Sequence, residues 1–300
     1  MYLYHFGMRE LPFTLTPNTD FFLNLKPHIE AMQVLLNALK QGEGFIKVTG
    51  EVGTGKTLIC RKLLNDIPKG FAVAYIPNPY LTPSELRWAV ATELGLHLDS
   101  KIDQQTLTQR LQQHLLELSA QGKGVVVILD EAQALPDESL EALRLFTNLE
   151  TERRKLLQVI LFAQPELDER LATKQFRQLR QRISFSYQLR SMTPAEVAHY
   201  ITHRTQVAGY QGDDLFSFNC AKKIAKASRG IPRLVNILCH KSLLLCFGNK
   251  DKLITNQHIK LAIQDTVDAT HRLNTTLLIA GFAIAAVVAT GLLFGFGWRL

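Results

Sequence analysis

Eight consecutive residues, Gly50-Glu51-Val52-Gly53-Thr54-Gly55-Lys56-Thr57, have the types and spacing to grip a phosphate. They fit the pattern G-x-x-x-x-G-K-[ST]. Its glycines let the backbone turn tightly enough for successive N–H groups to face one anion. Lys56 brings a positive charge to the β- and γ-phosphates, and the Thr57 hydroxyl is placed to coordinate Mg²⁺. Leu58 carries the chain on into a helix whose positive dipole end points at the same anion. A second cluster is Val125-Val126-Val127-Ile128-Leu129-Asp130-Glu131, an apolar run that ends in two adjacent carboxylates. Asp130 is suited to hold Mg²⁺, commonly through water, and Glu131 to position and deprotonate an attacking water. Phosphoryl transfer is catalysed by placement and charge stabilisation, so both carboxylates must be fixed by a rigid strand. ATP with Mg²⁺ is the ligand pair these two clusters predict.

Such groups have to be carried by strands and helices in the right order. Phe45 to Thr49 reads as the strand before the phosphate loop, and Lys56 to Asp66 as the helix after it. Phe71 to Ile76, Gly124 to Leu129, Leu156 to Ala163 and Ile183 to Leu189 read as four more strands. A helical segment at 27–40 precedes them, and one opened by Thr82-Pro83-Ser84-Glu85 and another at 103–121 lie between them. In the Thr-Pro-Ser-Glu run, Thr82 caps the helix, Pro83 takes its first position and Glu85 closes a capping box. Alternation of this kind predicts an α/β fold with a parallel five-stranded sheet and helices on both faces. After Arg190 the pattern turns helical, with segments at about 194–208, 214–228, 232–247 and 256–270, the first opened by a second box, Thr193-Pro194-Ala195-Glu196. The expected organisation is an N-terminal arm and helix at 1–44, an α/β core at 45–190, a helical lid at 191–271 and a membrane helix at 275–298.

The last of these rests on composition. Leu273 to Trp298 holds no charged residue, and 11 of the 20 residues from Leu277 to Phe296 are Leu, Ile, Phe or Val. As a helix that stretch is about 30 Å long, the hydrocarbon thickness, and its apolar side chains favour insertion by about 5 kcal/mol. A nucleotide domain needs cytoplasmic ATP, so the expected topology is a single pass of the inner membrane, with the core inside and the C-terminus outside. Met1-Tyr2-Leu3-Tyr4-His5-Phe6 lacks the features of a secretory signal. The net charge of +7 is uneven: residues 1–190 carry 22 Lys/Arg against 21 Asp/Glu, and residues 191–300 carry 12 against 6. Charge alone does not choose between lipid and nucleic acid. Cys60, Cys220, Cys239 and Cys246 form no C-x-x-C pair and sit in apolar helical patterns, so buried reduced thiols are expected. His199 and His203 lie four apart on a helix but lack the glutamate and third ligand of a zinc site.

The phosphate loop, the Asp130-Glu131 strand end and the trailing helices together resemble the AAA+ ATPases. The arm His5-Phe6-Gly7 through Leu11-Pro12-Phe13-Thr14-Leu15-Thr16-Pro17, followed by Gly42-Glu43-Gly44-Phe45 and the phosphate loop, is similar to the ExeA/GspA subgroup. Members of that subgroup assist secretion and pilus machines in Gram-negative envelopes. The size and the C-terminal span resemble the branch that serves the MSHA type IV pilus.

The resemblance implies further roles. Gln164, after the fourth strand, matches the polar sensor-1 position, which contacts the γ-phosphate or the lytic water. Gly230-Ile231-Pro232-Arg233 matches the sensor-2 motif, from which Arg233 reaches the phosphates. Arg177, Arg180 and Arg182 stand where the family keeps an arginine finger acting on a neighbouring subunit's ATP; Arg182 is favoured, then Arg180. It also implies a nucleotide-dependent homo-oligomer, with a hexamer as the family's expectation, and membrane partners of the GspB or MSHA type. ExeA-like proteins carry a periplasmic peptidoglycan-binding domain after the span, and none is expected here. The functional expectation is a membrane-anchored ATPase that supports assembly of a type IV pilus or type II secretion complex. A DNA-binding AAA+ ATPase of the replication or transposition type is the alternative. The span and the lack of a DNA-reading helix or Lys/Arg block weigh against it, so nucleic acid is not an expected partner. A non-hydrolysing nucleotide-dependent scaffold is a third reading.

Overall fold

The computed structural model describes residues 2–16, 18–99, 102–146 and 155–270. The span expected at 277–296 lies outside the described residues; among those described, no helix is long and apolar enough to cross a membrane. The described residues divide into two compact units, one drawn from residues 16–191 with Ile231–Arg233, the other from residues 2–15, 192–230 and 234–270.

The chain opens with a short helix, α1 (Tyr2–Phe6), that belongs to the second unit. In the first unit, strands β1 (Phe45–Gly50), β2 (Phe71–Ile76), β3 (Gly124–Leu129), β4 (Gln158–Ala163) and β5 (Ile183–Leu189) alternate with helices. Those helices are α2 (Lys26–Gln41), α3 (Lys56–Asp66), α4 (Pro83–Glu93), α5 (Gln104–Ala120), α6 (Asp137–Phe146), α7 (Glu166–Leu171) and α8 (Arg177–Arg182). The five strands form one parallel sheet in the order β2-β3-β4-β1-β5. Continuous apolar runs such as Val125–Leu129 are what a parallel strand needs, because both of its faces are covered. Val125, Val127 and Leu129 pack into one core with Val159, Leu161 and residues of α4 to α8. Val126 and Ile128 face the other way, into a core with Ile46, Val48, Ile160 and residues of α2 and α3.

The strand order has a direct consequence. β3, β4 and β1 are neighbours, so the segments that leave their C-terminal ends emerge side by side. β1 and β4 run in register from Phe45 opposite Val159 to Thr49 opposite Ala163, which brings Gly50 and Gln164 level. β3 and β4 align Leu129 with Leu161. Adjacent strands lie about 4.8 Å apart, so the phosphate loop, Asp130-Glu131 and Gln164 share one edge of the sheet.

The second unit comprises α1, α9 (Pro194–Val207), α10 (Phe218–Ser228), α11 (Pro232–Gly248) from Leu234 onward, α12 (Asn256–Gln264) and α13 (Val267–Thr270). Residues 2–15 are integral to it. The Tyr2 hydroxyl meets His240 Nδ1 at 3.0 Å, Asn236 Nδ2 donates to the Thr14 carbonyl at 3.1 Å, and the buried Arg204 guanidinium donates to the Pro12 carbonyl. The segment read as one N-terminal arm and helix is therefore split: residues 2–15 pack with the helices of this unit and α2 with the sheet.

Local differences from the expected bounds have physical causes. β4 begins at Gln158 rather than Leu156: its ladder with β3 starts at Val126 opposite Gln158, and Leu156 and Leu157 are buried ahead of it. α10 begins at Phe218 rather than 214, where the Ser217 hydroxyl accepts the Cys220 N–H and caps the first turn. The helix expected over 256–270 stops at Gln264 and resumes at Val267. Both Thr-Pro-x-Glu runs form capping boxes, with Thr82 N–H donating to Glu85 at 2.8 Å and Thr193 N–H to Glu196 at 2.7 Å. All four cysteines are free and buried.

Gly230 follows the left-handed end of α10 and has φ +71° itself. Its N–H donates to the Ala225 carbonyl at 3.1 Å, and a Cβ there would stand 2.0 Å from the Met192 carbonyl oxygen. Gly230→Ala must meet both the left-handed strain and that overlap, so a loss of about 2–4 kcal/mol is expected. A thermal melt of the variant checks it, and an unchanged midpoint would contradict this account of the turn.

Candidate active site

The phosphate loop leaves β1 at Gly50 and enters α3 at Lys56. Gly53 at φ +80° and Gly55 at φ +100° are in the left-handed region, which lets the loop curl; side chains there would be strained. The Thr54 hydroxyl donates to the Glu51 carbonyl at 2.8 Å and ties the curl together. Val52 is half exposed at the tip and Leu58 half-buried in the first turn of α3. Gly53 is also pressed by Arg233: a Cβ on Gly53 would lie 2.6 Å from Arg233 Cβ, and the Arg233 N–H donates to the Gly53 carbonyl at 3.2 Å. The start of α11 thus rests on the loop through the Arg233 N–H and the stem of its side chain, while Arg233 as a whole is exposed.

Lys56 is buried, and its Nζ donates to the carbonyls of Gly50 at 2.7 Å and Glu51 at 3.1 Å. Burial pulls its ammonium below the usual lysine value, and the nearby carboxylates of Glu131, Asp130, Glu166 and Glu51 oppose that pull. Asp130, the first residue after β3, is 3% exposed. Burial pushes its carboxyl above the ordinary aspartate value; hydrogen bonds from the Thr57 hydroxyl and the Glu131 N–H, the latter at 3.0 Å, and the charge of Lys56 pull it back. The Thr57 hydroxyl therefore lies close enough to Asp130 to pull on its carboxyl, an oxygen pair of the kind that suits a hard divalent cation.

Glu131 has φ +55°, a left-handed conformation unusual for a residue with a side chain. Such a conformation costs about 1–3 kcal/mol and persists only where the surroundings enforce it. The 3-10 turn Ala132–Ala134 follows at once. Glu131 Oε2 accepts from Gln133 Nε2 at 2.6 Å and from Gln164 Nε2 at 3.0 Å, and Gln133 Oε1 accepts the Gln164 N–H at 3.0 Å. Arg170 on α7 donates to the carbonyls of Gln133 at 2.8 Å and Leu135 at 2.9 Å and pairs with Asp137. Among the described residues, no group of three or more His, Cys, Asp or Glu side chains is placed to hold a metal by itself.

The structure therefore brings Gly50 to Thr57, Asp130, Glu131, Gln164 and the Arg233 main chain to one place. Arg177 and Arg180 are exposed on α8 and Arg182 is half-buried at its end, immediately before β5. Arg180 donates to the Ala172 carbonyl at 3.3 Å. Sequence reasoning missed Gln133 and Arg170. Gln133 stands two residues beyond Glu131, a spacing that places side chains together only because Glu131 is left-handed. Arg170 looks, in sequence, like an ordinary helix-surface arginine.

Residues 39–171 match the family model described as AAA domain. Over 303 aligned residues the chain is 39% identical to General secretion pathway protein A of Aeromonas hydrophila, covering 100% of this chain and 54% of that protein. The chain thus spans about half the length of this curated relative. The crystal structure of Cdc6p from Pyrobaculum aerophilum is similar at TM-score 0.62 and 17% identity, over 83% of this chain and 71% of that one. The RuvB Holliday junction branch migration motor of Thermotoga maritima is similar at TM-score 0.55 and 17% identity, over 85% and 73%. At these identities the two structures speak for the fold alone.

Proposed function

We propose that this chain, whose residues 39–171 match the AAA domain model and which is 39% identical to General secretion pathway protein A, binds and hydrolyses ATP with Mg²⁺ at the edge shared by β1, β3 and β4. The observation that carries the reading is the convergence of the buried Lys56, the Thr57–Asp130 pair and the Glu131–Gln164 pair on one phosphate-sized loop.

The motif and the geometry together support the following roles. Loop N–H groups between Gly50 and Leu58 donate to the phosphate oxygens at the start of α3. Lys56 exchanges the Gly50 and Glu51 carbonyls for β- and γ-phosphate oxygens. Thr57 and Asp130 would hold Mg²⁺, which neutralises charge on the transferring group when bound. Glu131 orients the attacking water and takes its proton, and Gln164 lies beside it to contact that water or the γ-phosphate. Arg233 enters by turning its exposed side chain toward the loop on which its main chain already rests. Arg182, or else Arg180, reaches a neighbouring copy's site, which makes the working form a homo-oligomer. The reading further places the chain at the inner membrane through residues 277–296 and assigns it to assembly of a type II secretion complex or an MSHA-like type IV pilus, alongside membrane partners of the GspB or MSHA type.

ATP turnover by the full chain tests this reading. Turnover should require Mg²⁺ and should rise per protomer as protein concentration increases. Concentration-independent turnover would contradict a site shared between copies. Thr57→Val keeps the shape but removes the hydroxyl, and should raise the Mg²⁺ needed for half-maximal turnover by about tenfold, the equivalent of one lost charge-assisted contact. An unchanged requirement would remove Thr57 from the cation's set.

A further inference from the structure

We infer that Gln133 is a positioning residue for hydrolysis, a clamp that fixes Glu131 to Gln164 and turns the free edge of the Glu131 carboxylate toward the water. This rests on the hydrolytic reading above and deepens it.

Three contacts close the clamp. One end of the Gln133 amide donates to Glu131 Oε2 at 2.6 Å; the other end accepts the Gln164 main-chain N–H at 3.0 Å. Gln164 Nε2 returns to the same Glu131 oxygen at 3.0 Å. The ring therefore joins the segment after β3 to the segment after β4 by side chains, independently of the sheet ladder. Both donors take Oε2, so the pair fixes the plane of the carboxylate and leaves Oε1 to a water. Without the clamp, a glutamate side chain on a strained left-handed backbone would sample several rotamers. A general base displaced by about 1 Å loses on the order of 100-fold in rate.

Gln133 itself is held from behind. Arg170 on α7 donates to the Gln133 carbonyl and to the Leu135 carbonyl and pairs with Asp137 at the start of α6. This holds the 3-10 turn at its middle and at its C-terminal cap, so the side chain of Gln133 is aimed by its backbone. Glutamine is the residue this needs: it donates from one atom and accepts at another across the gap between Glu131 and Gln164. Leucine fills the same space and does neither.

The test compares Gln133→Leu, Gln164→Leu and the double variant in the full chain. Each single variant should lower kcat by on the order of 10- to 100-fold, and Gln133→Leu should keep the ATP dissociation constant, measured directly, within about twofold of the parent, because the hydrogen bonds of Gln133 go to Glu131, Gln164 and Arg170. The double variant should fall no more than about twofold below the worse single, because residues acting as one unit are not additive. A stable Gln133→Leu protein with full kcat, or two effects that multiply in the double variant, would overturn the proposal. A second arm does not need turnover. In protein labelled with ¹⁵N-glutamine, Glu131→Ala should shift the side-chain amide resonances of both Gln133 and Gln164. An unmoved Gln133 resonance would overturn the clamp even where hydrolysis itself is absent, whereas loss of parental turnover with both shifts intact would fault only the hydrolytic reading.

Discussion

Glu131→Gln is expected to lower ATP turnover by on the order of 100- to 10,000-fold, the range that a positioned general base supplies. The substitution is nearly isosteric. The glutamine carbonyl oxygen can still accept from Gln133 and Gln164, so the ring around Oε2 persists with neutral in place of charged acceptor. What is lost is the capacity to take a proton from water. The hydrogen bonds to this oxygen come from Gln133 and Gln164 and not from the phosphate loop, so ATP affinity should stay within about threefold of the parent. Phosphate release and direct nucleotide titration separate the two quantities. Affinity falling with turnover would show that Glu131 acts in binding instead.

Lys56→Ala is expected to act on the other quantity. A charge-assisted contact contributes about 1.5–3 kcal/mol, so ATP affinity should fall by roughly 10- to 100-fold. The resting geometry adds to the effect. Nζ is buried and engaged with the Gly50 and Glu51 carbonyls, and its removal takes away a positive charge that interacts with Asp130 and Glu131. Two carboxylates facing an incoming triphosphate without that charge repel it. Titration of a fluorescent ATP analogue checks this, and an affinity within twofold of the parent would remove Lys56 from the phosphate site.

The parts of the site that were legible in the sequence are those whose chemistry depends on neighbours in the chain. Gly50 to Thr57 is one continuous loop, and Asp130-Glu131 ends one apolar strand, so type and spacing were enough. The capping boxes at Thr82 and Thr193 are local in the same way, and both formed as expected. The strand order was not legible, because periodicity reports that a strand is half or wholly buried and says nothing of which strand lies beside it. Yet the order β2-β3-β4-β1-β5 is what sets Gln164 level with Gly50. The packing of residues 2–15 against residues near 204 and 236 is hidden for the same reason, since about 190–240 residues of chain separate the partners. Gln133 was invisible for a different cause: its role follows from one backbone angle, φ +55° at Glu131, which no residue type announces. Where local rules fail at a single strained position beside the chemistry, function is the usual reason.

The central claim is that one site both binds ATP through Lys56 and cleaves it through Glu131. It is tested most directly by incubating the full chain with Mg²⁺ and ATP labelled in the base and in the γ-phosphate, isolating the protein and identifying the nucleotide it retains. The parent protein should retain chiefly ADP, Glu131→Gln should retain ATP with its γ-phosphate intact, and Lys56→Ala should retain far less of either. ATP retained unchanged by the parent, or the same ADP fraction in parent and Glu131→Gln, would contradict the account.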